Sequence, residues 1–207
     1  MRLVSWNVLR RVGATPEVIA ALIDVQRPDL LLLQEAVADI DRLQKLIGGY
    51  YWRQSMPNRV HGLAIWSPAP FPAPTVLELP YDPKSRSGDR RIAAVLSLDE
   101  MSVANIHLTH GQRLLRRQLR HIADNVVGPL AIAGDTNAVG PTLLKGFRDV
   151  GPRRHTHLTK GILPVRLDRC LVRGIACTLA TALDRGRSDH RPILVDLESE
   201  RVDAARH

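Results

Sequence analysis

The stretch Leu130-Ala131-Ile132-Ala133-Gly134-Asp135-Thr136-Asn137 constrains the fold most. An apolar run bounded by Pro129 and Gly134 reads as a buried strand. A carboxylate and an amide follow two positions apart, and residues at that spacing on an extended chain point to one side. Asp135 and Asn137 are therefore expected to project together from the end of a central strand, where Gly134 lets the backbone bend. An Asx-type turn closing the strand is the competing reading of the same residues.

Other segments repeat this pattern. Arg2 to Val8 reads as a first strand carrying Asn7 at its tip, and Leu30 to Leu33 as a buried strand running into Gln34-Glu35. Between them, Thr15-Pro16-Glu17 signals a helix start, with Thr15 as cap, and Arg27-Pro28-Asp29 a stop. A second helix is predicted over residues 37–47, closed by Gly48-Gly49. Further strands are predicted at Gly62–Trp66, Ile92–Leu98, Val103–Leu108, Val165–Val172 and Ile193–Leu197. Six prolines between residues 68 and 83 allow only a loop or an edge there, and Asp82 to Gly88 continues as a polar connection. Residues 112–127 form the clearest helix, apolar along Leu115, Leu119, Ile122 and Val126, with Arg113, Arg116, Arg117 and Arg120 opposite. Residues 141–164 read as irregular. Strands and helices mixed in this order predict an α/β or α+β sandwich, with one domain over residues 1–197 and a polar, fraying tail over 198–207.

Composition narrows the function classes. The net charge is +8, and lysine occurs only at 45, 84, 145 and 160, so arginine supplies 25 of the 29 basic residues. Such a surface suits phosphate-bearing partners, although arginine usage also follows the composition of the coding genome. Two cysteines, Cys170 and Cys177, offer neither a disulfide framework nor metal-ligand spacing. No apolar run is long enough to span a membrane and no signal peptide is apparent, which places the expected location in the cytoplasm.

The polar residues at strand ends share one chemistry: Asn7, Glu35, His107, Asp135 with Asn137, Asp168, and Asp189 with His190. Converging carboxylates repel unless a cation sits among them. Oxygen donors with imidazoles nearby suit Mg²⁺ or Mn²⁺ better than zinc. Structural alternatives exist at single positions: Asp168 lies between Arg166 and Arg169, where a plain ion pair is possible, and His107 could be a hydrogen-bonded core histidine. His155 and His157 share one strand face and invite a metal reading, but solvated loop histidines are the favoured reading.

Six motifs now stand in order: Trp6-Asn7-Val8, Leu33-Gln34-Glu35, Asn105-Ile106-His107-Leu108, Gly134-Asp135-Thr136-Asn137, Arg166-Leu167-Asp168, and Ser188-Asp189-His190-Arg191-Pro192. The set resembles the endonuclease/exonuclease/phosphatase family, which includes the DNase I-like nucleases, and the match extends from residue 2 to about 197. The resemblance implies a four-layer sandwich of two β-sheets flanked by helices, with the site at one edge. It implies Glu35 as the main Mg²⁺ or Mn²⁺ ligand, with Asn7 and Asp189 close to the ion. Asp135 would orient or deprotonate water, and Asn137 would help hold Asp135 or the phosphate. His190, backed by Asp168, would stabilise the phosphorane-like transition state, and His107 would donate to the phosphate or leaving group. Independently of the resemblance, the 112–127 helix starts just after the strand that delivers His107, so Arg113 and Arg117 could reach flanking phosphates; a solvated charged face is the competing and favoured reading. The expected activity is metal-dependent phosphodiester hydrolysis of nucleic acid. The alternatives are a small or lipid-linked phosphoester as substrate, or a catalytically silent nucleic-acid binder. His107 stands where the abasic-endonuclease branch usually has Tyr, so the chain is not assigned to that branch. The scarcity of Trp and Phe leaves no stacking platform for bases.

Overall fold

The computed structural model describes residues 1–9, 13–83, 90–159 and 161–200. Its elements are β1 (Arg2–Asn7), α1 (Pro16–Gln26), β2 (Leu30–Ala36), a 3-10 turn (Ala38–Arg42) running into α2 (Leu43–Ile47), β3 (Tyr50–Ser55), β4 (Gly62–Ser67), β5 (Thr75–Glu78), β6 (Ile92–Ser97) and β7 (Ser102–His107). There follow α3 (Gln112–Asn125), β8 (Leu130–Asp135), β9 (Arg148–Asp149), β10 (His157–Thr159), β11 (Leu163–Val165), β12 (Asp168–Arg173), β13 (Ile175–Ala182) and β14 (Ile193–Ser199).

Two mixed six-stranded sheets result, one ordered β13-β14-β1-β2-β4-β3 and the other β5-β6-β7-β8-β12-β9, with β10 and β11 as a separate hairpin. Each sheet holds one parallel pair at its centre, β1 with β2 and β7 with β8. A parallel neighbour requires a crossover, and α1 and α3 supply it. The sheets face each other across Leu3, Leu32, Ile65, Leu96, Val103, Ala131, Val172 and Val195. The outer face of the first sheet packs Leu31 and Leu33 against Ile19 and Ile23 of α1, and that of the second packs Ile106 and Ile132 against Leu115, Leu119 and Ile122 of α3. This is the expected four-layer sandwich.

Helix signals translate directly. Thr15 caps α1 by accepting from Val18 N, Pro16 opens the helix, and Arg27 closes it in the left-handed region at φ 47°. The elements that differ from expectation lie mostly at sheet margins. β3 and β13, outermost in the first sheet, are half exposed and lack a buried alternation. β5 is an edge strand within the proline-rich stretch. The stretch expected to be irregular over 141–164 contains β9, β10 and the start of β11. The single strand expected over 165–172 is split, because Arg166 and Leu167 separate β11 from β12. The Asp82–Gly88 connection falls largely outside the described residues. β14 continues to Ser199, and residues 201–207 lie outside the described residues.

A buried polar bridge crosses the inter-sheet space among the apolar contacts. Gln34 Nε2 donates to Ser5 Oγ at 3.0 Å and to Asn105 Oδ1 at 2.8 Å. Asn105 Nδ2 donates to Leu33 O at 3.1 Å and Ala64 O at 2.9 Å. All three side chains are fully buried. A partly buried set pins the far edge, where Asp149 accepts from Arg166 and Arg169 at 2.6–2.7 Å. Burial alone would raise the Asp149 carboxyl; the two guanidiniums hold it below its usual range. Arg166 and Arg169 therefore pair with Asp149, and the plain ion pair considered for Asp168 does not form.

Truncating Asn105 to Ala strands the Gln34 Nε2 donor and the Leu33 and Ala64 carbonyl acceptors of the first sheet. The variant is expected to lose about 2–4 kcal/mol of stability, read as a lower urea midpoint at unchanged m-value.

Candidate active site

The parallel pairs bring four chain ends to one edge. Asn7 ends β1, Glu35 lies near the end of β2, His107 ends β7 and Asp135 ends β8, with His107 level with Asp135 across the β7–β8 pair. Ligands of open α/β sheets gather outside such carboxyl ends. The antiparallel β12 enters from the same edge, so its first residue, Asp168, is also in register with Asp135. Asp189 and His190 arrive just before β14, which runs antiparallel to β1. That last segment is strapped down: Ser188 Oγ donates to Asn7 O at 2.7 Å and Trp6 Nε1 to His190 O at 3.1 Å.

Local backbone irregularities aim the side chains. Gln34 faces the inter-sheet space, so simple alternation would turn Glu35 toward the helix layer. A bulge between Gln34 and Ala36 breaks that alternation, and Glu35 adopts φ 58°, unusual for a residue other than Gly, Asn or Asp. Bulges of this kind re-aim side chains beside active sites. Gly134 lies where β7 and β8 approach closely: a Cβ there would sit 2.1 Å from Ile106 O. Asn137 lies beyond the end of β8 at φ 52°, so strand geometry does not align it with Asp135. Instead Asn137 N donates to Asp135 Oδ1 at 2.9 Å, and Asn137 Nδ2 to Leu108 O at 2.9 Å. The Asx turn and the predicted pairing of Asp135 with Asn137 are thus one feature.

Asp135 is the hub. Its Oδ2 accepts from Asn7 Nδ2 at 3.0 Å, and Asn7 Nδ2 stands 3.4 Å from Glu35 Oε1. The Nε2 atoms of His107 and His190 approach Asp135 Oδ2 at 3.6 and 3.7 Å. His190 Nδ1 meets Asp168 Oδ2 at 2.8 Å. The two imidazoles are driven apart electrostatically. Burial opposes charge on His190, but Asp168, Asp135 and Asp189 outweigh it and raise the ring to about 10. At His107 burial prevails over Asp135, and with Arg91, His190 and His61 adding positive potential the ring falls to about 3. His190 is thus a cationic donor at neutral pH and His107 a neutral imidazole, and such divergence separates acid and base roles.

Glu35, His107, Asp135, Asn137, Asp189 and His190 line one cleft of about 500 Å³. Asn7 and Asp168 lie behind that lining, both almost wholly buried. Arg113 and Arg117 are exposed on α3 and do not line the cleft. Arg59, Arg90 and Arg91 line it instead, with no helical spacing in the sequence to mark them. His155 is half-buried and not part of the lining. His157 is no solvated loop histidine. It belongs to β10, its ring centroid lies 4.3 Å from that of His190, and its Nδ1 is 3.7 Å from Asp189 Oδ2. The backbone bridge from His157 to His190 makes this contact, and only the folded hairpin reveals it.

Residues 4–190 match the Endonuclease/Exonuclease/phosphatase family. The chain belongs to this family. Its members are phosphoester hydrolases that depend on a divalent metal. No curated protein matches the chain in sequence. Similar solved structures include an endonuclease/exonuclease/phosphatase from Beutenbergia cavernae, with TM-score 0.75 and 20% identity over 99% of this chain and 73% of that one. TDP2 from D. rerio, complexed with single-strand DNA product, aligns at TM-score 0.72 and 17% identity over 96% and 99%. ANGEL2, a 2′,3′-cyclic phosphatase, aligns at 0.69 and 15% over 96% and 95%.

The residues fit a divalent ion. Asp168 Oδ1 and Asp189 Oδ1 are buried with no hydrogen-bond partner among the described residues, and buried carboxylate oxygens that accept no hydrogen bond suit a cation.

Asp168→Asn should reverse the state of His190 in the metal-free protein. A raised imidazole is charged below its pKa, here about 10. Without the carboxylate burial prevails, so an NMR titration should find the variant's ring neutral at pH 8. A variant still titrating near 10 would count against Asp168 as the charge partner.

Proposed function

We propose that the protein is a Mg²⁺- or Mn²⁺-dependent phosphodiesterase that hydrolyses nucleic acid by in-line attack of water. The observation that carries this reading is the composition of one cleft, in which Asp135 and two imidazoles of opposite protonation face the same space as Arg59, Arg90 and Arg91. Glu35, Asn7 and Asp189 would hold the ion, which when bound supplies Lewis-acid stabilisation of the phosphoryl oxygens.

The remaining work falls to the chain itself. Asp135, fixed by Asn7 and Asn137, takes the orienting hydrogen bond of the attacking water and receives its proton. His190, kept cationic by Asp168, donates from Nε2 to a phosphoryl oxygen, where charge develops in the transition state. His107 Nε2, on the other side of Asp135, reaches a phosphate oxygen or the leaving group. The cleft arginines pair with neighbouring phosphates in two-pronged fashion. A small phosphoester is the second reading, favoured by the size of the cleft, which lies in the range of small-molecule sites. Among the described residues no helix is long and apolar enough to cross a membrane; a cytoplasmic location remains part of this proposal.

Excess EDTA should abolish turnover on a panel of single- and double-stranded oligonucleotides, a bis-aryl phosphodiester and aryl phosphomonoesters. Glu35→Gln should weaken Mg²⁺ and Mn²⁺ binding, and Asp135→Asn should cost at least about 10²-fold in turnover with the fold intact. Full turnover in EDTA, or a loss below tenfold, counts against these assignments.

Arg113 and Arg117 of α3 extend the positive surface beyond the cleft for long substrates. Replacing them with Gln should flatten the slope of log affinity against log salt by about 0.9 for each duplex phosphate they neutralise. An unchanged slope would leave them as solvated surface charge.

A further inference from the structure

We propose that His157, Asp189 and His190 form a binding site for Zn²⁺, and that its occupation inhibits the enzyme. The inhibitory half rests on the function proposed above; the binding half does not. His157 Nδ1 lies 3.7 Å from Asp189 Oδ2, and His190 Nε2 lies 3.9 Å from Asp189 Oδ1. The three donor atoms all fall within 4.8 Å of one another. Two donors bound to one tetrahedral zinc at about 2.1 Å stand about 3.4 Å apart, so small side-chain rotations close the set around an ion.

Two further observations single this group out from an ordinary polar cluster. His157 Nδ1 and Asp189 Oδ1 are both buried without a hydrogen-bond partner among the described residues, although the two side chains face each other. Each such atom in a folded protein needs an explanation, and a shared cation satisfies both. The other nitrogen of His190 already meets Asp168 Oδ2 at 2.8 Å. A carboxylate on the far nitrogen is the arrangement that fixes a metal-binding imidazole in orientation and tautomer.

The donor set decides the ion. Two imidazole nitrogens and one carboxylate favour zinc over Mg²⁺, which prefers oxygen. Three protein ligands leave a fourth position open, as in non-structural zinc sites. The consequence follows from geometry. His190 Nε2 is the atom that faces Asp135 and the reacting phosphate, and Asp189 is shared with the proposed Mg²⁺ set. Zinc at this site engages both, displacing the Nε2 proton of His190 to solvent, so it withdraws the phosphate donor and weakens the activating ion together. His157 is the member that only the zinc site needs.

Zinc affinity is measured by competition with a chromophoric chelator for the wild-type chain and for His157→Ala and His157→Gln, each with native circular dichroism. The wild type should bind one Zn²⁺ at least about tenfold more tightly than either variant, since loss of even an outer partner costs that much. Zinc K-edge absorption should count two imidazoles in the wild type and one in the variants. In Mg²⁺-supported assays both variants should keep wild-type turnover and need at least about tenfold more zinc for half-inhibition. Equal zinc affinities, a single imidazole in the wild type, or equal sensitivity to zinc would overturn the proposal. If no phosphoester is hydrolysed by the wild type, the proposed function falls, while the affinity ratio and the imidazole count still decide the site.

Discussion

The Gln34–Asn105 bridge fixes the relation between the two sheets, and the active edge depends on it. Apolar faces packed together tolerate some sliding, because dispersion and hydrophobic contacts carry little direction. A buried amide pair does not slide, since any shift leaves donors unsatisfied in a medium without water. Each member sits close to a site residue: Gln34 beside Glu35, Asn105 two before His107, and Ser5 two before Asn7. Two-residue spacing on a strand keeps Ser5 and Asn7 on one face, and Asn105 and His107 on another. The bridge therefore sets the separation of groups contributed by different sheets, on which a 3.0 Å contact such as Asn7 to Asp135 relies.

How much of this was legible in the sequence follows from burial. Central strands are buried and rich in apolar residues, so β1, β2, β7, β8 and β14 stand out, and so do the polar residues at or near the site ends of β1, β2, β7 and β8. Edge strands β3, β5 and β13 bury little and show no regular pattern. They were legible at most as an edge in the case of β5. The helices were legible because caps, prolines and apolar stripes are local signals. His157 was not, for the opposite reason: its contacts with Asp189 and His190 exist only once β10 is laid along the Asp189-His190 segment. The arginines lining the cleft were illegible for the same reason. Arg59 comes from the β3–β4 turn and Arg90 and Arg91 from the approach to β6, positions distant along the chain that share only a cavity.

The same separation of local from tertiary signals explains why Asp135–Asn137 supports two readings at once. Two-residue spacing predicts a shared strand face, whereas the backbone turns at Asn137 and the pairing is made by its own amide hydrogen. Glu35 behaves alike, brought to the cleft by a bulge and a left-handed backbone rather than by strand alternation. A left-handed conformation at a non-glycine residue costs on the order of 1–3 kcal/mol and persists only where surrounding structure imposes it. Here the hydrogen-bonded Gln34 on one side and β4 on the other supply that constraint. Local regularity is given up at positions that line the cleft, and the bridge below them holds the result in place.

Charge is distributed on the same principle. A chain of net charge +8 places carboxylates at the end of its central strands, where they would repel each other but for neighbours that divide the load. Asp135 engages both oxygens in hydrogen bonds from Asn7 and Asn137, and Asp168 engages one with His190, so that one oxygen each of Asp168 and Asp189 lacks a hydrogen-bond partner among the described residues. Positive charge is arranged in two tiers around them. Arginines on α3 stand in solvent, where salt screens them beyond roughly 8 Å, so they act on the approach of an anion more than on its bound pose. Arginines inside the cleft act at short range across a partly dry space, where the same charge counts for more. Under the proposed function, orientation at the reacting phosphate would belong to the cleft, and the α3 arginines would serve capture.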